Sequence, residues 1–204
     1  MKEQKFIKKR FHEFLGLKVI VLGASAGGVQ ALLSLLPSLP ENFPLPLIIV
    51  QHILPTEEGG LAGIFQDKCS VIVKEAEDRE QIRAGTVYLA PSNYHLLIER
   101  TGSFALSVDE KVSYSRPSID VLFESGARAY HSQLLALLLT GANDDGALGI
   151  QIIKKYGGST IAQDPATAAF AAMPQAAIDT GAVDKVLSLQ EINFFLSRAD
   201  YGGS

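Results

Sequence analysis

Cysteine is almost missing from this chain: Cys69 is the only one in 204 residues. A single thiol excludes an intrachain disulfide and argues against a thiolate-ligated zinc. Cys69 reads as a small apolar residue near a strand. Long apolar runs are missing too, since none approaches the roughly 18 to 20 residues that a membrane span needs. Neither sign of charge dominates. The 18 Lys and Arg stand against 22 Asp and Glu, a formal net charge of -4, which gives no global attraction to nucleic acid or anionic lipid. No nucleic-acid partner and no membrane insertion are expected. Residues 1–17 are basic through Lys8, Lys9 and Arg10, yet they lack the apolar core and small-residue cleavage site of a secretory signal. They read as a solvated tail or linker, and the chain as cytoplasmic. Repeats, low-complexity tracts and composition shifts are also absent, so residues 18–200 read as one domain.

What is present is an alternation of short apolar runs with longer amphipathic ones. Lys18–Leu22, Leu45–Val50, Val71–Lys74, Leu134–Thr140 and Ser159–Ala162 read as strands. Val29–Leu36 (closed by Pro37), Gly60–Gln66, Gly146–Tyr156 and Pro174–Asp179 read as helices. Ser118 is a candidate N-cap for a helix to about Tyr130, and Ser188 with Glu191 forms a capping box for the last helix. Thr86–Leu89, Tyr94–Ile98 and Phe104–Val108 are punctuated by Pro91-Ser92 and Thr101-Gly102, which predicts antiparallel hairpins at a sheet edge. The expectation is an α/β fold: a doubly wound, mostly parallel sheet with a few antiparallel edge strands. Such sheets bind ligands beyond the carboxyl ends of their strands.

Three strand ends carry chemistry. The first reads Gly23-Ala24-Ser25-Ala26-Gly27-Gly28, a G-x-S-x-G between a strand and a helix. A sharp turn there lifts a serine hydroxyl clear of the backbone, and the helix N-terminus offers free N–H groups to an oxyanion. The competing reading is a glycine-rich cradle for a nucleotide phosphate. Against it, the G-x-G-x-x-G spacing is missing and the second strand ends in Gln51-His52 rather than in an acidic residue for a ribose. His52 is a natural general base. His12, His95 and His131 lie in the tail, in an edge-strand pattern and at a helix end. The third strand end, Thr140-Gly141-Ala142-Asn143-Asp144-Asp145-Gly146, supplies an acid to orient the imidazole. Pattern alone leaves Asp144 and Asp145 equal, and one of them is expected to cap the next helix. The chain order Ser…His…Asp differs from that of the α/β-hydrolases and the familiar serine proteases.

These segments resemble the catalytic domain of the CheB protein-glutamate methylesterases. The similarity runs in order through Tyr88-Leu-Ala-Pro91, Tyr94-His-Leu96, Ser115–Phe123, Thr160–Gln163 and Met173-Pro174, and covers about residues 18 to 198. The resemblance implies a serine esterase with Ser25 as nucleophile, His52 as base and Asp145, the residue directly before the last glycine of the third segment, as the orienting acid. It implies hydrolysis of glutamate methyl esters on chemoreceptor cytoplasmic helices, deamidation of specific glutamines there, and no metal or cofactor. Ala26 and Ala142 stand where the family often has threonine and methionine, so oxyanion contacts there would come from backbone N–H groups. Arg116, with Ser118 and Asp120, is a candidate for shaping the substrate groove. Full-length chemotaxis members carry an N-terminal receiver domain, for which the residues before the first strand are too few. The enzyme would then either be unregulated by phosphorylation or have its site covered by a separate regulatory protein. Two alternatives remain: an esterase or amidase of this fold acting on another target, and a non-catalytic module binding a nucleotide or a protein.

Overall fold

The computed structural model describes residues 16–52 and 60–198. Most of the basic tail, His12 included, lies outside the described residues. Nine strands and six α-helices are described: β1 (Val19–Ala24), α1 (Gly28–Leu35), β2 (Leu47–Gln51), α2 (Leu61–Gln66), β3 (Ile72–Glu75), β4 (Thr86–Leu89), β5 (His95–Ile98), β6 (Phe104–Ser107), α3 (Ile119–Tyr130), β7 (Leu134–Leu138), α4 (Ala147–Lys155), β8 (Ser159–Gln163), α5 (Ala172–Asp179), β9 (Lys185–Leu187) and α6 (Leu189–Arg198). Seven strands form one parallel sheet in the order β3-β4-β2-β1-β7-β8-β9.

The central strands are apolar without interruption because both of their faces are covered. Ile20, Leu22 and Ala24 of β1, Leu47 and Ile49 of β2, and Leu135 and Leu137 of β7 pack on one side with Leu32 and Leu35 of α1, Phe65 of α2 and Ile192 and Phe195 of α6. Val19 and Val21, Ile48 and Val50, and Ala136 and Leu138 face the other side. There they meet Leu122 and Phe123 of α3, Ile150 and Ile153 of α4, and Met173 and Ala177 of α5. Each fully buried Leu or Ile in these layers stabilises the fold by about 1.5–3 kcal/mol.

The doubly wound parallel fold agrees with the sequence expectation, and two details refine it. The antiparallel pair β5–β6 is a separate two-stranded ribbon. It packs on the α3 side of the sheet through Leu96, Ile98 and Phe104, and Ile98 N–H donates to Ser125 Oγ at 3.1 Å. Thr86–Leu89 is not part of that ribbon. All four of its residues are buried, and it pairs in parallel with both β2 and β3. β9 has no counterpart in the sequence reading, because three residues beginning with Lys185 present no apolar run. The last helix starts on the expected box: Ser188 N–H donates to Glu191 Oε2 at 2.9 Å and Glu191 N–H to Ser188 Oγ at 3.2 Å.

Strand order sets where chemistry can occur. From β1 the chain passes to β2, then to the edge strand β3 and back to β4 between them, and after the β5–β6 ribbon it crosses β1 to β7, β8 and β9. The carboxyl ends of β2, β1 and β7 are therefore adjacent at the reversal, where such sheets open a crevice.

Candidate active site

The ladder between these three strands continues into the loops beyond them. Ser25 N–H donates to Thr140 O at 3.0 Å, and His52 N–H donates to Ala24 O at 3.0 Å. Gln51 ties the loops together from below. Its side chain is buried, and Nε2 donates to Ser25 O at 2.9 Å and to His52 O at 2.8 Å. The turn after Ser25 closes at Gly27, whose φ of 77° is left-handed. A Cβ at that position would lie 2.8 Å from the Ala169 Cβ, so the turn requires glycine there.

Three side chains from the three strand ends align. Ser25 Oγ lies 3.2 Å from His52 Nδ1, and His52 Nε2 lies 2.9 Å from Asp145 Oδ2. The Asp145 carboxylate accepts only, so Nε2 carries the imidazole proton and Nδ1 is left to accept from the Ser25 hydroxyl. His52 has 13% of its side chain exposed and Asp145 none. Asp144, the other acid of the third segment, is exposed and does not approach the imidazole.

Asp145 is held by four donors. Oδ2 takes His52 Nε2–H and Ile119 N–H (2.8 Å), and Oδ1 takes the Ser118 hydroxyl (2.9 Å) and Asp120 N–H (3.0 Å). Burial acts to raise its pKa, but the hydrogen bonds from His52, Ile119 and Asp120 win and hold the carboxyl below its ordinary value. Asp145 therefore caps α3 from a distant loop. Ser118 occupies the N-cap position of α3 without capping it through its side chain, because its hydroxyl is turned onto Asp145. Neither acid of the third segment caps α4 through its side chain. That helix starts at Gly146, with φ 97°, and the acceptor at its N-terminus is Asp120, whose Oδ1 takes Gly146 N–H at 2.9 Å and Gly149 N–H at 2.7 Å.

Asp120 behaves oppositely to Asp145. Burial first, and then the negative charge of Asp145, push its carboxyl up to about 6 against the opposing bonds from Gly149 and Gly146. A carboxyl raised in the folded state binds protons more tightly folded than unfolded between pH 3.8 and about 6. Stability must then fall as pH rises through that window, by roughly 3 kcal/mol at most. Asp145 acts in the reverse sense below pH 3.8. Asp120→Asn, which keeps an acceptor oxygen for both N–H groups, is expected to remove the loss between pH 5 and 7. Chemical denaturation of both proteins at the two pH values checks this, and equal slopes would contradict it.

Other expected site residues fall in varied places. The backbone N–H groups of Ala26 and Ala142 have no acceptor among the described residues. Arg116 Nη1 donates to Val108 O at 2.7 Å and to Asp109 O at 3.0 Å, which ties it to the segment after β6. Ser118 and Asp120 lie behind Asp145 rather than along a groove. Ser115 was not singled out by the sequence, yet its Oγ is 3.5 Å from His52 Nδ1. It arrives on a tight turn in which Ser113 and Tyr114 both take positive φ, and no glycine marks that turn. Cys69 is partly buried, and burial raises its thiol pKa, the reverse of what a reactive thiolate requires. Among the described residues no cluster of three or more His, Cys, Asp or Glu could hold a metal, and no helix is long and apolar enough to cross a membrane.

A family model described as CheB methylesterase matches residues 20–196. The chain belongs to the CheB methylesterase family. A relative from Leptospira interrogans is 47% identical over 186 residues, covering 91% of this chain and 96% of the relative. The protein-glutamate methylesterase/protein-glutamine glutaminase 2 of Anaeromyxobacter dehalogenans is 44% identical over 176 residues, covering 86% of this chain but 51% of the relative. This chain thus spans about half the length of that enzyme. The crystal structure of the Thermotoga maritima CheB methylesterase catalytic domain superposes with a TM-score of 0.85 at 36% identity, covering 90% of this chain and 98% of that one.

Proposed function

We propose that this chain is a cytoplasmic serine esterase that hydrolyses glutamate methyl esters on chemoreceptor cytoplasmic helices, and that residues 18–200 are its catalytic domain. One observation carries the reading: Ser25 Oγ, the His52 imidazole and the buried Asp145 carboxylate lie in one hydrogen-bonded line at the strand-end crevice. In this mechanism Ser25 Oγ attacks the ester carbonyl while His52 Nδ1 takes its proton. The resulting oxyanion is met by the N–H groups of Ala26 and Ala142, a type of contact worth on the order of 10²–10³ in rate. The imidazolium, held by Asp145, returns the proton to the departing methoxide and methanol leaves. Water then attacks the glutamyl-serine ester with His52 again as base, regenerating Ser25. An amide side chain enters the same cycle with ammonia as the leaving group, which gives glutamine deamidation. Every proton and electron pair is supplied by the three side chains, substrate and water, so the cycle calls for no cofactor.

The rim of the site favours a protein substrate. Tyr114 is 97% exposed at the tip of the turn that carries Ser115, and Phe170, also exposed, follows the loop anchored on Thr140. Two exposed aromatic rings on loops bordering a crevice suit an apolar helix face better than a free small ester. Ala26 and Ala142, which stand where the family often has threonine and methionine, are behind a second reading, an esterase or amidase of this fold acting on another target.

The test is methanol release from methylated receptor cytoplasmic fragments, with a small activated ester measured in parallel. The proposal expects release from the fragments at a higher kcat/KM than from the small ester. Hydrolysis of the small ester alone would move the substrate to the second reading, and no hydrolysis of either would overturn the esterase assignment.

A further inference from the structure

Two buried carboxylates meet behind the imidazole, and the mechanism above uses only one. Asp145 precedes α4 in sequence yet caps α3, accepting Ile119 N–H and Asp120 N–H. Asp120 sits in the first turn of α3 yet caps α4, accepting Gly146 N–H and Gly149 N–H. Each acid thus caps the helix that carries the other. Neither helix N-terminus can shift without moving the opposite carboxylate, and α3 and α4 are locked where Asp145 must meet His52.

We propose that Asp120 is a positioning residue for the reaction: the reciprocal cap holds Asp145 against His52, and the second carboxylate's charge strengthens the pull of Asp145 on the Nε2 proton. The proposal rests on the assignment of Ser25, His52 and Asp145 as the reacting set.

A static clamp alone needs no charge on Asp120. An amide would accept the same two N–H bonds, with the same side-chain volume and no desolvation penalty on an anion. The carboxylate is instead kept beside another buried anion, at a position where its ionisation is displaced into the working pH range. When it ionises, negative charge is added on the far side of Asp145, and a positive imidazole becomes more favourable. Among the described residues, other titratable or charged groups lie near the pair. His52 lies across Asp145, and Asp144 is exposed on the same loop. His95 on β5 accepts Ser118 N–H at its Nδ1 and faces Glu110 O through Nε2. Arg116 Nη1 donates to the Val108 and Asp109 carbonyls. Among these, Asp145 and His52 are the groups through which Asp120 can reach the reaction.

The experiment compares wild type with Asp120→Asn and Asp120→Ala in the pH profile of kcat/KM on a small activated ester. Asp120→Asn keeps both caps and loses the charge. Its acid limb is expected to move to lower pH, by roughly half a unit to one unit, with KM unchanged. Asp120→Ala loses the caps as well and is expected to lower kcat at every pH. A second measurement needs no variant: the low-field NMR resonance of the His52 Nε2 proton should show an inflection tracking the ionisation of Asp120. An Asp120→Asn profile that superposes on wild type, or an Nε2 proton resonance indifferent to Asp120, overturns the proposal. Failure of the underlying reading looks different, since hydrolysis would then survive Ser25→Ala while the proton resonance still reported the coupling.

Discussion

Ser25→Ala is expected to reduce kcat for ester hydrolysis by on the order of 10⁴ to 10⁶ while leaving the fold intact. The size of the effect follows from what the hydroxyl does. With it gone, the crevice retains Ala26 and Ala142 N–H groups and the His52 base, so residual turnover would require water to attack directly. The fold is spared because Ser25 is only half buried and its side chain meets His52 rather than the core, so the stability change should stay within about 0.5–1 kcal/mol. Ser115 is the natural substitute nucleophile, since its hydroxyl also lies near Nδ1. That hydroxyl is 3.4 Å from Ser113 O as well, and the helix that follows it, α3, has its first N–H groups taken by Asp145. Ser115→Ala should therefore cost far less than Ser25→Ala. Steady-state kinetics on the two variants, with unfolding curves beside them, decide the point. A Ser25→Ala protein with more than a tenth of wild-type activity would refute the nucleophile.

The second large effect belongs to Asp145. Asp145→Asn is expected to lower kcat by on the order of 10⁴, because an amide that turns its NH₂ toward Nε2 forces the wrong tautomer and leaves Nδ1 protonated toward Ser25. Unlike Ser25→Ala, this change should also destabilise the protein. The buried site presents four donors, from His52, Ser118, Ile119 and Asp120. An asparagine offers one acceptor oxygen and adds two donors of its own. Each buried group left unpaired costs about 1–3 kcal/mol, and two such groups approach a large share of a domain's net stability. Removing the Asp145 charge also relieves Asp120, which should then ionise at lower pH. Denaturant unfolding read together with activity tests the pairing. Lost activity with unchanged stability would contradict the account of Asp145 as the shared cap of α3.

Much of this was legible in the chain because strand ends in a parallel sheet are chemically marked. Lys18–Leu22 and Leu134–Thr140 read as strands from unbroken apolar runs, and the glycines after them point to the turns that carry Ser25 and Asp145. The choice between Asp144 and Asp145 was not legible from pattern, since adjacent residues share any periodicity. Burial separates them: Asp145 is enclosed by four donors, while Asp144 is exposed. The reciprocal cap was illegible for another reason. Asp120 and Asp145 are 25 residues apart along the chain, and capping rules look only three or four residues ahead. Ser115 stayed hidden because its turn uses positive φ at Ser113 and Tyr114 without a glycine to announce it. Arg116 is a charged residue near the site, and its Nη1 donates to two backbone carbonyls. Thr86–Leu89 was grouped with its sequence neighbours in antiparallel hairpins, but burial of both its faces draws it into the parallel sheet.

The central claim is that Ser25 forms a covalent bond with the substrate acyl group. The most direct measurement is an acid-quenched single turnover on a methylated receptor fragment, followed by peptide mass spectrometry of the protein. The account predicts an acyl adduct on the peptide containing Ser25, absent from Ser25→Ala. An adduct on the peptide containing Ser115 instead, or turnover in Ser25→Ala with no adduct anywhere, would contradict it.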